Sequence, residues 1–546
     1  MKKRFIPRKM FIYRNILGAL LIFCLAAVGN LKAAERPNII LFLVDDLGWQ
    51  DTSVPFWTER TPFNDHFHTP NMERLAKQGI LLTDAYSCAV CSPSRTSLMT
   101  GQNAARHGVT NWTLTVGKDQ SKGSPKHISP PDWNLAGLQP GSPTLASLLQ
   151  DSGYETIHCG KAHWGAIGTE GEDPRNLGFT VNIAGHAAGG LGHYHGQKNF
   201  GNKPGEHTRP WGVPGMEKYH GKDIHLTDAL TIEAQAAVKD AVKKEKPFFL
   251  YMAHYAVHTP IQPHKRFVDR YLGKKYPGTD IDIPEVEANY ASMVEGFDAS
   301  LGELMKTVDE LGVAENTLLI FTSDNGGLSH LARGMSPKGT PKNTHCWPLR
   351  EGKGSAFEGG TRVPWLASWV KPNKENKHQA DLPLEPGYRS NVPVIIEDLF
   401  PTILSITDVA IPKDHIVDGE NMIPILTGEL TKREEPRPLI FHYPHQWVGR
   451  PSGGYQPHSS IRLGEWKAIY FYELDRWFLY NLEHSVMEDR DLCPSQGKIM
   501  PGLAKRLQDL LKERGALLPV RREDGKPHEI LPPYERREPK PEADGR

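Results

Sequence analysis

Asp45-Asp46 and Asp324-Asn325 are two sets of hard oxygen donors, each set directly after an apolar run. Oxygen-only ligation favours calcium or magnesium over zinc. One Asp after a strand is ordinarily a turn former or a helix cap, but two such pairs at two strand ends make that reading poor. The segment Cys91-Ser92-Pro93-Ser94-Arg95-Thr96-Ser97-Leu98-Met99-Thr100-Gly101 carries a second kind of chemistry. Pro93 suits the first turn of a helix and Gly101 its end. Cys91 then stands at a helix N-terminus, where free N–H groups and the macrodipole attract anions. Lys161 and His163 follow one apolar run and His258 follows another. Carboxylates, an amide, lysine and histidines delivered to one edge would hold a metal and an anion together. Each residue also has a plainer reading. Cys91 would be a buried structural cysteine or pair with Cys88, Lys161 and Lys353 would be solvated lysines, and His254 and His264 compete with His258.

The elements that position these residues read as an α/β fold. Asn38–Val44 is an unbroken apolar run, the mark of a central parallel strand buried on both faces. A helix begins at Thr69-Pro70 and stops at Gly79. Pro143–Asp151 precedes the strand Glu155–Cys159, Leu226–Lys244 precedes Pro247–Ala253, and Ala288–Leu311 precedes Asn316–Thr322. This alternation implies a large, mostly parallel sheet covered by helices on both faces, with ligands bound beyond the carboxyl ends of its strands. After about residue 430, Pro438–Tyr443, Ser459–Arg462, Lys467–Tyr472 and Trp477–Asn481 read as a smaller antiparallel sheet, with the helix Met500–Arg514 upon it. The Gly- and His-rich stretches His107–Pro140 and Ala184–Gly215 are candidate active-site loops.

The chain has 546 residues, more than one core usually supports. Its 64 basic and 64 acidic residues balance, which gives no reason to expect nucleic acid or an anionic membrane as partner. A basic leader, the apolar run Ile16–Val28 and the small residues Ala33 and Ala34 have the layout of a secretory signal peptide. The expected organisation is a signal peptide over 1–34, a catalytic domain over 35–430, an α+β subdomain over 431–520 and a loosely attached, charged, Pro-rich tail over 521–546. An exported, periplasmic or secreted, protein follows, with no stable membrane insertion after cleavage. Cys88, Cys91, Cys159, Cys346 and Cys493 then remain, an odd number that asks for one special thiol.

The string from Cys91 to Gly101 resembles the signature of the type I, formylglycine-dependent sulfatase family, C-x-P-S-R-x-x-x-L/M-T-G, at every defined position. The resemblance runs over roughly residues 36–520 and implies the alkaline-phosphatase-like fold. It extends to Gly160-Lys161-Ala162-His163, to Tyr255-Ala256-Val257-His258-Thr259-Pro260, to Ser323-Asp324-Asn325-Gly326 and to Lys353. It implies that a formylglycine-generating maturase oxidises Cys91, and that Asp45, Asp46, position 91, Asp324 and Asn325 hold Ca2+. A hydrated formylglycine would attack sulfur, with Arg95 supporting it and Lys161 and Lys353 holding the sulfuryl oxygens. His258 with Lys353 would protonate the leaving oxygen, and His163 would take the proton whose loss expels sulfate.

Asn111-Trp112, Trp133, His186–His195 and Trp211 lie in long loops suited to sugar recognition. His186 and His195 are therefore candidate substrate contacts. The segments around Asp51–Phe56 and His254–Pro260 look like polysaccharide-degrading sulfatases, of the arylsulfatase A and N-acetylgalactosamine-sulfatase kind. A sulfated galactose or N-acetylgalactosamine unit is the expected substrate. The competing readings are a phosphatase or phosphonate hydrolase of the same superfamily, and a non-catalytic binder of sulfated glycans in which Cys91 stays a thiol.

Overall fold

The computed structural model describes residues 36–121, 125–333, 345–447 and 453–534; the signal peptide expected over 1–34 lies outside them. Every residue of the first strand, β1 (Asn38–Val44), is buried. Its side chains alternate between two cores: Ile40, Phe42 and Val44 enter one, Ile39, Leu41 and Leu43 the other. Burying each such side chain is worth about 1.5–3 kcal/mol, so β1 is held from both sides.

The remaining strands of its nine-stranded sheet are β2 (Ile80–Tyr86), β3 (Glu155–Gly160), β4 (Val181–Ile183), β5 (Phe248–Ala253), β6 (Thr317–Ser323), β7 (Arg362–Trp369), β8 (Tyr388–Ser390) and β9 (Val394–Ile395). Their order is β9-β2-β7-β6-β1-β5-β3-β4, with β8 also paired to β2. Every pairing is parallel except those of β7, which runs antiparallel to β2 and β6. On one face lie α1 (Pro70–Gln78), α4 (Leu226–Lys243) and α5 (Glu285–Glu310), contributing Leu75, Leu230 and Phe297 to the core. On the other lie α2 (Cys91–Thr100), α3 (Leu145–Asp151) and α6 (Leu399–Ile406), contributing Leu98, Leu149 and Ile403. The mostly parallel, doubly covered sheet expected from the alternation is present.

A separate antiparallel sheet follows, β10 (Pro438–Tyr443), β11 (His458–Leu463), β12 (Trp466–Phe471) and β13 (Arg476–Asn481), in sequence order. The apolar stripe of α7 (Met500–Glu513), including Leu503, Leu507 and Leu511, packs on its Ile461, Tyr470 and Leu479. Buried charges join the small sheet to β2 and to the helical turn Glu358–Thr361 that precedes β7. Arg462 Nη2 lies 2.6 Å from Asp84 Oδ2, and Lys467 Nζ lies 2.9 Å from Glu358 Oε1. Two points of the expected tail contact the rest of the chain. Val520–Arg521 pairs with Ile128–Ser129, and Trp477 Nε1 donates to the Leu531 carbonyl at 2.8 Å. Residues 535–546 of that tail lie outside the described residues. No disulfide involves Cys88, Cys91, Cys159, Cys346 or Cys493, so the plain pairing of Cys88 with Cys91 is not made.

Candidate active site

The carboxyl ends of β1, β3, β5 and β6 converge. Backbone bonds beyond the strands hold them there: Asp45 N–H donates to Ala256 O at 3.0 Å, Lys161 N–H to Ala253 O at 2.7 Å and Asp324 N–H to Val44 O at 3.3 Å. Asp46 takes φ 63°, a left-handed backbone that Asp tolerates better than most residues. The chain therefore turns at once after β1, and both of its successive carboxylates reach the same point. Donor atoms of Asp45, Asp46, Cys91 and Asp324 all lie within 4.8 Å of one another. Asn325 joins them, its Nδ2 donating to Asp46 Oδ1 at 2.8 Å. Asp46 Oδ2 and Asn325 Oδ1 are buried without a hydrogen-bond partner. Orphaned buried oxygens of this kind are costly, and a hard divalent cation would satisfy them. The donor set thus fits a metal ion.

Positive side chains interleave with the acids. Arg95, one helical turn beyond Cys91, is wholly buried. Its Nε donates to Asp324 Oδ2 at 2.8 Å and its Nη1 to the Lys161 carbonyl at 2.7 Å, tying α2 to two strand ends. Lys161 Nζ sits 2.6 Å from Asp45 Oδ2. Lys353 Nζ sits 2.6 Å from Asp46 Oδ1 and donates to Cys91 Sγ at 3.1 Å. Burial alone would raise the Asp324 carboxyl, but Arg95, Lys161 and Lys353 outweigh it and hold it well below the usual carboxylate range.

Cys91 opens α2, with Val90 extended as its N-cap and Gly101 closing the helix at φ 68°. Burial pushes its thiol up to about 12 against the pull of Lys161 and Lys353. A thiol in that state is a poor nucleophile at neutral pH. His163 Nε2 donates to the Thr113 carbonyl at 2.9 Å, which leaves Nδ1 buried and unpartnered. His258 Nδ1 donates to the Thr259 carbonyl at 2.8 Å, which leaves Nε2, 3.7 Å from Asp46 Oδ2, to face the site. A carbonyl only accepts, so these bonds fix each tautomer. Burial, and next the charge of Lys353, hold His258 down at about 3. An anionic ligand would act in the opposite sense.

These groups floor a cavity of about 340 Å³. Asp46, Cys91, His163, His258 and Lys353 face it, and Trp112, Trp211 and Trp447 wall it. The structure brings Asp45, Asp46, Cys91, Arg95, Lys161, His163, His258, Asp324, Asn325 and Lys353 together as the sequence predicts. His186 and His195 are not among the residues that line this cavity. The His186 ring packs against His207, with its backbone carbonyl accepting from His163 N–H at 3.1 Å. The His195 ring packs against His193 and His225. His186 is buried, whereas His195 is half-buried. Trp133 likewise turns away, edge-on to His445. His254 bonds Ser300 and His264 pairs with Asp228, so neither rival displaces His258. Sequence reasoning missed Trp447 and the pair Gly189-Gly190. Trp447 follows the small sheet's first strand and reaches the cavity only through tertiary docking. A Gly-Gly dipeptide inside a His-rich loop is the one local signal that close packing was needed. A Cβ at Gly189 would stand 2.2 Å from His163 Cε1.

Comparison with known proteins agrees with this geometry. The family model described as Sulfatase matches residues 37–409. A sulfatase of Formosa agariphila is 29% identical over 534 residues, covering 88% of this chain and 90% of its own. The N-acetylgalactosamine-6-sulfatase of Canis lupus familiaris is 28% identical, covering 87% of this chain and 78% of its own. The crystal structure of Ps i-CgsB in complex with k-i-k-neocarrahexaose superposes with a TM-score of 0.65 at 28% identity, covering 90% of this chain and 95% of that one. The fold is alkaline-phosphatase-like, and the chain belongs to the sulfatase family of sulfuric ester hydrolases.

Proposed function

We propose that this enzyme hydrolyses sulfate esters of a carbohydrate, of galactose or N-acetylgalactosamine type, using a formylglycine made from Cys91 by a maturase. The observation that carries the reading is the position of Cys91 Sγ, 3.1 Å from Lys353 Nζ and 3.7 Å from Asp45 Oδ1, at a helix N-terminus that opens on the cavity. Sγ marks where the side-chain oxygens of formylglycine would begin. Asp45, Asp46, Asp324 and Asn325 would hold Ca2+, which supplies charge against a sulfuryl oxygen and lowers the pKa of an oxygen nucleophile.

The chain's own side chains have the following parts. Lys353 and Lys161 bind sulfuryl oxygens from fixed positions, where preorganised charge contributes most. Arg95 orients Asp324 and, through the Lys161 carbonyl, the turn carrying Lys161. His258 Nε2 faces the leaving oxygen; the bound anionic ester favours the imidazolium, which with Lys353 supplies the proton that the leaving oxygen takes, returning Nε2 to its neutral form. His163 Nδ1, unpartnered, accepts the proton whose loss releases sulfate. Trp112, Trp211 and Trp447 supply flat apolar faces for a sugar ring. The names of relatives that act on N-acetylgalactosamine sulfates or hold a carrageenan oligosaccharide support a carbohydrate ester. We read residues 35–430 as the catalytic domain and 431–520 as its α+β subdomain, in an exported protein.

The test is sulfate release from N-acetylgalactosamine 6-sulfate and from sulfated galactans, with calcium or a chelator. The expected result is release with calcium that a chelator abolishes. Sulfate release that is indifferent to the metal, or turnover of phosphate esters with no sulfate release, would overturn the reading.

A further inference from the structure

The His-rich loop over 184–215 was expected to bind substrate through His186 and His195, yet neither lines the cavity. Its contacts assign it another task. Tyr194 is wholly buried. Its hydroxyl lies 2.6 Å from the Tyr255 carbonyl and 2.8 Å from the His258 carbonyl, bridging both ends of the turn that presents His258. The turn's own closing bond, His258 N–H to Tyr255 O at 2.9 Å, shares one of those acceptors.

Tyr194 itself is fixed from three sides. Its N–H donates to Gln262 Oε1 at 2.8 Å, its carbonyl accepts from Leu226 N–H at 2.8 Å, and its ring stacks on His225 at 5.1 Å and 6°. His225 caps α4, its side chain accepting from Thr227 N–H. A rigid helix is thus connected through one phenol to the His258 turn. The same loop passes close beside the imidazole: a Cβ added at Gly190 would lie 3.2 Å from His258 Cε1.

We propose that Tyr194 is a positioning residue for His258, holding its imidazole where a proton can pass to the leaving alkoxide. The inference rests on the reading of His258 as the leaving-group acid. It makes the loop a specificity element of an unusual kind, one that sets which leaving groups depart rather than which sugars bind. A sugar alkoxide is strongly basic and needs that proton. A nitrophenolate does not. A misplaced acid therefore slows sugar sulfates selectively, whereas general damage to the fold would slow both esters alike.

Two measurements on Tyr194→Phe test this. The first is its crystal structure, which needs no turnover. The turn 255–258 and the His258 ring should shift while Asp45, Asp46 and Asp324 stay in place; an unmoved His258 overturns the proposal. The second compares kcat on N-acetylgalactosamine 6-sulfate and on 4-nitrophenyl sulfate, with His258→Ala beside it. A misplacement near 1 Å costs about 100-fold, so the sugar ester should lose roughly 10- to 100-fold and the aryl ester less than about threefold. Equal losses on both esters overturn the proposal. If His258→Ala itself shows no preference between esters, the acid assignment fails instead, and the crystal structure still decides the positioning. Should Tyr194→Phe not fold, Gly190→Ala presses on the same ring and should lower the ratio of sugar to aryl turnover.

Discussion

Lys353→Met removes one ammonium from the cavity floor and keeps most of the side chain's volume. Lys353 Nζ lies 2.6 Å from Asp46 Oδ1 and 3.1 Å from the atom that marks the nucleophile, with the residue 6% exposed. A sulfuryl oxygen bound there would meet the charge at close range. At an effective dielectric near 20, unit charges about 4 Å apart interact by about 4 kcal/mol. Removal of one preorganised donor from an oxyanion site costs about 2.7–4 kcal/mol by measurement elsewhere. The two figures converge on a loss of about 100- to 1000-fold in kcat/KM. Sulfate release at saturating calcium measures it, with thermal unfolding and metal content taken on the same sample. Asp46 keeps its bond from Asn325 Nδ2 at 2.8 Å, so the fold should survive. Activity within about threefold of wild type would refute the argument, because a cation this close to the reacting group cannot be removed so cheaply if it binds the sulfuryl oxygens.

Three further outcomes follow from other parts of the site and its frame. Gly189→Ala places a Cβ 2.2 Å from His163 Cε1 and should abolish turnover while calcium binding, read by calorimetry, persists. Chelation should lower the melting temperature, since a ligand at about 100 times its Kd stabilises by about 2.7 kcal/mol; an unchanged melting curve would argue against an occupied site. Burial raises the Asp84 carboxyl, but Arg362 and Arg462 outweigh it and its pKa is lowered on folding. That ionised group contributes stability above the ordinary Asp range, near pH 4, and the contribution is lost as pH falls through the lower folded value. Asp84→Asn should cost about 3–5 kcal/mol at neutral pH and flatten the acid limb of a stability–pH curve.

Most of the catalytic floor was legible in the sequence because its residues stand at the ends of strands whose apolar runs are unmistakable. β1 has no polar residue after Asn38, and the two acids end it. The polar string after Cys91 told more than its cysteine alone. Less legible was β7, the antiparallel strand between β2 and β6. It contains Pro364, which argues against an interior strand. The structure accommodates that proline at an irregularity, for the register between β2 and β7 shifts between Leu82 and Ala85. The loop over 184–215 misled for a different reason. Its histidines read as substrate contacts, yet His186, beside Gly185, is buried against His207. Ring-to-ring packing across loops has no period for a sequence to display. Trp447 was invisible for the same cause, because a tertiary interface carries it to the cavity.

The central claim is that position 91 supplies the nucleophile as formylglycine, and peptide mass spectrometry across residues 86–101 tests it most directly. Protein from a maturase-competent host should carry the mass of an aldehyde, or its hydrate, in place of the thiol. Its conversion should parallel sulfate release across preparations. A fully intact thiol at Cys91 in protein that nonetheless releases sulfate at an undiminished rate would contradict the account.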